Sequence, residues 1–156
     1  MPKRSMKRAN PKKSITPQRG EVWLVNFNNP PSAPNPPEGT PQALLPTTGD
    51  EIYKPRPAVV MNIVASWHRQ LHIVVPLTKW KAHYAENRYF WLIQVPRDNS
   101  NKLNHDSAAD TFQVKSLSIK RFGKKAIGVV GPSQLNLIAE TVAFCIGYSL
   151  PKNFAT

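Results

Sequence analysis

Lys54-Pro55-Arg56-Pro57-Ala58-Val59-Val60-Met61-Asn62-Ile63-Val64, Leu71-His72-Ile73-Val74-Val75-Pro76-Leu77-Thr78 and Tyr89-Phe90-Trp91-Leu92-Ile93-Gln94-Val95 decide the fold of this chain. Each holds an apolar run of strand length, rich in β-branched and aromatic residues and without helical spacing. Gly20-Glu21-Val22-Trp23-Leu24-Val25-Asn26-Phe27 reads as a strand before them. Residues 111–117 and 126–130 read as weaker strands after them, with a helical turn near 116–121 between. The strong helix signal comes last. Pro132 follows Gly131 at a first turn, and Leu135, Ile138, Val142, Ile146 and Leu150 recur at three- and four-residue steps. That stripe is expected to dock on the sheet. Five or six short strands closed by one terminal helix, without alternating βα units, predict a mainly β fold, a small twisted antiparallel sheet or barrel.

A chain of 156 residues suits one domain, and 21 Lys+Arg against 9 Asp+Glu give it a formal charge of +12. Such a charge calls for an anionic partner. Six of the cations (Lys3, Arg4, Lys7, Arg8, Lys12, Lys13) fall in the first 18 residues, which contain no acid. Residues 1–18 therefore read as a solvated basic tail and 19–156 as the folded domain. Within that domain 28–49 read as a long loop, because seven of the 17 residues from 30 to 46 are proline and cannot pair in a sheet. A single cysteine, Cys145, excludes an intramolecular disulfide and points to a reducing compartment. No apolar run is long enough to span a bilayer, and no h-region follows the basic N-terminus. The expectation is a cytoplasmic protein with no membrane partner.

The chemistry-bearing residues come in a fixed order: Arg19-Gly20-Glu21-Val22-Trp23; Gly49-Asp50-Glu51 with Lys54-Pro55-Arg56-Pro57; Val75-Pro76-Leu77-Thr78; Gln113-Val114-Lys115-Ser116-Leu117; and the Pro132 helix. This series resembles the MazF/PemK (Kid-like) toxins of bacterial type II toxin–antitoxin systems, from about Arg19 to Leu150. The resemblance implies an SH3-like small barrel with a C-terminal α-helix. It further implies a homodimer that cuts single-stranded RNA at short sequences without metal or cofactor, and a cognate antitoxin whose C-terminal segment occupies the RNA groove. Carried over by position, Arg56 and Thr78 fall on catalytic residues, Glu51 on the acid five residues before the arginine, and Gln113 on a glutamine of the later strand. Two positions depart from patterns seen in some members. Phe112 stands where they have an aspartate before the glutamine, and Asp50 where they have a histidine before the glutamate.

Metal-free RNA cleavage requires a cation for a doubly charged phosphorane and a route for two proton transfers. Arg56 suits the first task, since a guanidinium fork holds two phosphoryl oxygens and keeps its charge. The Thr78 hydroxyl can position a phosphate oxygen or the 2′-oxygen. Glu51 can take the 2′-proton or orient Arg56 by ion pairing. Strand alternation predicts Ile73, Val75 and Leu77 inward, with His72, Val74 and Thr78 outward. Lys79, Trp80 and Lys81 are candidates to neutralise phosphates and stack on an unpaired base, and Gln113 and Lys115 join them as RNA-binding candidates. The same cations also read as solvated surface, and Trp80 as a cover for the barrel end. His68 and His72 lack the pattern of a zinc site, His105-Asp106-Ser107 reads as a turn, and Cys145 as a buried inert thiol. No metal site is predicted. The alternative to an endoribonuclease is a non-enzymatic relative, either a gyrase-binding toxin of the CcdB type or a nucleic-acid-binding barrel.

Overall fold

The computed structural model describes residues 16–28, 49–62 and 70–148. Most of the basic tail and of the proline-rich loop, together with Ile63, Val64, His68 and Leu150, lies outside the described residues.

Among the described residues, seven antiparallel strands form one curled sheet: β1 (Glu21–Asn26), β2 (Pro55–Val60), β3 (Leu71–Lys79), β4 (Leu92–Val95), β5 (Ser107–Asp110), β6 (Lys115–Ser118) and β7 (Gly128–Val129). One helix follows, α1 (Pro132–Cys145). The long strand β3 organises the sheet. One of its edges pairs with β2 through Val74, Val75 and Pro76, while the other takes β6 at Leu71 to Val74 and then β5 at Leu77 to Lys79. From β6 the chain crosses to the free edge of β1, where Phe122 bridges Val25 and β7 pairs with Glu21 and Val22. This crossing curls the sheet into a half-barrel, so the fold is the mainly β class with a C-terminal helix that the sequence predicts.

Both faces of the central strands are buried, which is why their sequences run apolar without alternation. Val22, Val59, Val75, Leu77 and Ala109 face a core that α1 covers with Ile138, Leu135 and Val142. Trp23, Val25, Ala58, Val60 and Val74 face the inside of the curl, where Leu117 and Phe122 close over them. The outward assignment of His72 and Val74 is thereby corrected. His72 is 0% exposed and packs edge-on to Phe122 at 5.3 Å, whereas Ile73 is 44% exposed. The face read as solvent is the interior of the curl. In the same core Trp23 satisfies its indole N–H with the Glu21 carboxylate at 2.8 Å, and Arg19 donates to the Met61 carbonyl. The Arg19-Gly20-Glu21-Val22-Trp23 motif is thus structural.

Element boundaries differ from the sequence reading in four places. β2 begins before Ala58, at Pro55; only β1 pairs with it there, so the missing proline N–H groups leave no gap in a second ladder. Asn87–Tyr89 and Thr111–Gln113 are 3₁₀ turns rather than strand. β5 was not expected, because Ala108 and Ala109 carry little strand propensity. Both are fully buried between β3 and β4. Finally, Ile146 leaves the docked stripe: it is 76% exposed, and α1 ends there with Gly147 at φ 85 and Tyr148 N–H bonded to the Ala143 carbonyl.

Candidate functional site

Two cavities open on the residues singled out by sequence. Thr78 on β3 lies opposite Ala108 on β5, so Thr78, Ala108 and, two residues on, Asp110 share one face of the sheet. The smaller cavity, about 270 Å³, is lined by Arg56, Thr78, Lys79, His105 and Ser107 with prolines 55 and 57 behind them. The larger, about 590 Å³, is lined by Asp50, Glu51, Trp91, Asp110, Phe112 and Lys115 around Gln113.

The smaller cavity is built by a tight turn into β2. Lys54 adopts φ 71, a left-handed conformation that is strained for a side-chain-bearing residue before proline. Its N–H is held by Asn28 Oδ1 at 2.9 Å. The turn folds the Arg56 guanidinium back so that Nε donates to the Tyr53 carbonyl at 2.6 Å and Nη1 to Thr78 Oγ1 at 3.4 Å. Among the described residues no carboxylate pairs with Arg56. A guanidinium has five N–H donors, so this fixed, uncompensated cation keeps donors available for an anion. Sequence reading placed Arg56 and Thr78 together, and the fold does the same. It read His105 as part of a turn and not as a site residue, because β5 beside it was not expected.

The larger groove is organised by Gln113. Its amide oxygen accepts from Ile52 N–H, while its Nε2 donates to Asp110 Oδ2 at 3.0 Å and to the Asp50 carbonyl at 3.3 Å. The amide is spent on clipping the 50–52 segment to the groove floor. Glu51, carried by that segment, lies 3.9 Å from Lys115 Nζ and lines a different cavity from Arg56. Asp110 has its pKa raised, chiefly by burial, against the lowering pull of hydrogen bonds from Gln113 and from the Phe112 and Gln113 backbone. Its Oδ1 is buried without a hydrogen-bond partner. Phe112 is 64% exposed and meets Trp91 edge-on at 6.1 Å, giving the groove an aromatic wall.

Trp80 and Lys81 line neither cavity. Trp80 packs edge-on against Tyr84 at 5.7 Å, and Lys81 Nζ sits 5.9 Å from the same ring. Cys145 is half-buried, with Sγ 3.6 Å from Thr111 Oγ1. Among the described residues no three His, Cys, Asp or Glu side chains gather to hold a metal ion, and no helix is long and apolar enough to cross a membrane.

The fold is shared with solved structures at low sequence identity. MazF from Deinococcus radiodurans superposes with a TM-score of 0.60 at 17% identity, covering 85% of this chain and 98% of its own. An endoribonuclease from a mycobacterial species gives 0.54 at 16%, covering 88% and 97%, and a mycobacterial endoribonuclease in complex with its cognate antitoxin gives 0.52 at 17%, covering 86% and 99%. No curated protein sequence matches the chain. Residues 18–146 match the family model of PemK-like, MazF-like toxins of type II toxin–antitoxin systems, a span that includes both cavities and α1. The chain belongs to this PemK/MazF toxin family.

Proposed function

We propose that this toxin is an endoribonuclease that cleaves single-stranded RNA by internal transesterification, with Arg56 and Thr78 at the scissile phosphate. The observation that carries the reading is the Arg56–Thr78 pair, 3.4 Å apart in a cavity whose arginine has no carboxylate partner among the described residues. The 2′-oxygen attacks the adjacent phosphorus and the 5′-oxygen leaves, giving a 2′,3′-cyclic phosphate and a 5′-hydroxyl. Charge builds on the nonbridging oxygens in the transition state, and a preorganised guanidinium stabilises it there. Arg56 thus performs the electrostatic task that a divalent cation performs elsewhere, and the reaction runs without one. Thr78 positions a phosphate oxygen through its hydroxyl.

Lys79 extends the cationic wall along the phosphate backbone. The larger groove holds bases, with Phe112 and Trp91 as stacking surfaces and Glu51 and Lys115 as polar walls; Gln113 shapes this groove from beneath. The same groove is the seat of an antitoxin segment, in keeping with the toxin–antitoxin family and with the antitoxin complex among the structural neighbours. The toxin works as a homodimer, whose contact has to cover the exposed Phe90, Phe144 and Ile146.

Purified protein acting on mixed-sequence RNA in the presence of EDTA tests the reading. Cleavage is expected to persist, leaving 5′-hydroxyl ends that polynucleotide kinase labels directly. Activity abolished by EDTA and restored by magnesium or zinc would place the reaction in another class.

A further inference from the structure

Breaking a P–O5′ bond expels an alkoxide unless a proton reaches the oxygen, and neither Arg56 nor Thr78 is suited to deliver one. Arginine does not release its proton in proteins, and a threonine hydroxyl is too weak an acid. The other polar residues that line the small cavity are Lys79, His105 and Ser107. Ser107 is buried and donates its hydroxyl to the His105 carbonyl at 3.1 Å. Of the side-chain types present, imidazole is the one that exchanges protons near neutrality.

The backbone on both sides of His105 is fixed. Ser107 is laddered to Lys79 at the end of β3, and the Asp106 carbonyl accepts from Trp80 N–H at 3.0 Å. Asp106 Oδ1 accepts from Arg97 N–H at 3.0 Å, and the Asn104 carbonyl from Arg97 Nη1 at 3.3 Å. His105 itself remains solvent-exposed at the cavity wall. The other described histidines have different surroundings: His72 is enclosed in the curl, and His83 packs between Tyr84 and Tyr89.

We infer that His105 is the general acid of the cleavage step, donating its imidazolium proton to the departing 5′-oxygen; this rests on the ribonuclease reading of the Arg56–Thr78 site. In that step the 2′-oxygen bonds to phosphorus and its proton passes to water. The P–O5′ bond breaks, its electron pair stays on O5′, and the imidazolium proton joins that oxygen. The products are a cyclic phosphate, a 5′-hydroxyl and a neutral imidazole that solvent reprotonates.

The test compares two short RNAs containing a cut position mapped with the parent protein. One is natural, and the other carries sulfur in place of the bridging 5′-oxygen, so that a thiolate leaves without needing a proton. His105→Ala and His105→Gln, each confirmed folded by circular dichroism, are expected to cut the natural RNA on the order of a hundredfold more slowly than the parent. On the sulfur RNA they are expected to fall within about tenfold of it, and added imidazole should partly restore His105→Ala on the natural RNA. Arg56→Ala should be slow on both. Equal losses of the His105 variants on the two RNAs, or no loss on either, would overturn the role. A parent protein for which no cut position can be mapped on any RNA would overturn the ribonuclease reading itself.

Discussion

The two cavities differ in what they repel. Among the described residues, the smaller is lined by Arg56, Lys79 and His105 without a carboxylate, whereas the larger carries Asp50, Glu51 and Asp110 against one lysine, Lys115, beside two aromatic side chains. On the proposed reading, the first suits a phosphodiester and the second repels one, while the aromatic faces on which an uncharged base could stack lie in the second. The proposed function thus divides the two halves of a nucleotide between the two cavities. The chain's net charge of +12 favours an anionic partner, and on the proposed reading the local distribution of charge sets how an RNA strand lies.

The largest effect that separates the two cavities is expected from Arg56→Ala. Its loss removes stabilisation made in the transition state, so single-turnover cleavage should fall by roughly a hundredfold or more with KM little changed. Arg56→Lys should recover only part, because a point charge cannot reproduce a two-pronged donor. Thr78→Val, which keeps shape and removes the hydroxyl, should lose less. A folded Arg56→Ala protein that cuts at the parent rate would show that the chemistry belongs to the larger groove.

An intermediate effect is expected at Phe112. Stacking of a base on an aromatic side chain contributes about 1–3 kcal/mol, so Phe112→Ala should weaken RNA binding by roughly tenfold, and Phe112→Tyr should leave it near the parent. The split between KM and kcat is the diagnostic. A defect confined to KM keeps the groove as a base site, whereas a kcat defect as large as that of Arg56→Ala would merge the two cavities into one catalytic centre.

What was legible in the sequence follows from how local each signal is. β1, β3 and α1 announce themselves through runs of β-branched residues and a helical stripe, and Arg56 and Thr78 through their place in an ordered set of short motifs. The misreadings share a cause in the curl of the sheet. Alternation along β3 assumes one wet face, and the closing of Phe122 over Trp23 and Val74 removes it, which is why His72 is enclosed. β5 escaped because Ala108 and Ala109 carry little strand propensity and are held in place by two neighbours. His105 escaped with it, since a turn becomes a cavity wall only once the strand beside it is known. Gln113 was placed among RNA-binding residues by register, but its amide is committed to Ile52, Asp50 and Asp110, a network that spans positions about 60 apart in sequence.

The smallest effect concerns Asp110 and separates a structural carboxylate from a functional one. Burial raises its pKa above the ordinary aspartate value of 3.8, so the folded protein holds this proton more tightly than the unfolded chain does. The stabilising contribution of the protonated group is therefore fully present below that ordinary value and is lost as pH rises through the folded-state pKa. Above its folded-state pKa the ionised, half-satisfied carboxylate weakens the fold. Asp110→Asn removes the charge and still offers Gln113 Nε2 an acceptor, so at pH 7 the variant should melt a few degrees above the parent at most, roughly. The gap should close as pH is lowered below the aspartate range, where the parent's carboxyl is neutral too. A gap that does not change with pH would mean that packing, rather than charge, separates the variants. A variant less stable than the parent at pH 7 would mean that the ionised carboxylate is held by the groove, making the larger cavity electrostatically more like the smaller one than its lining suggests.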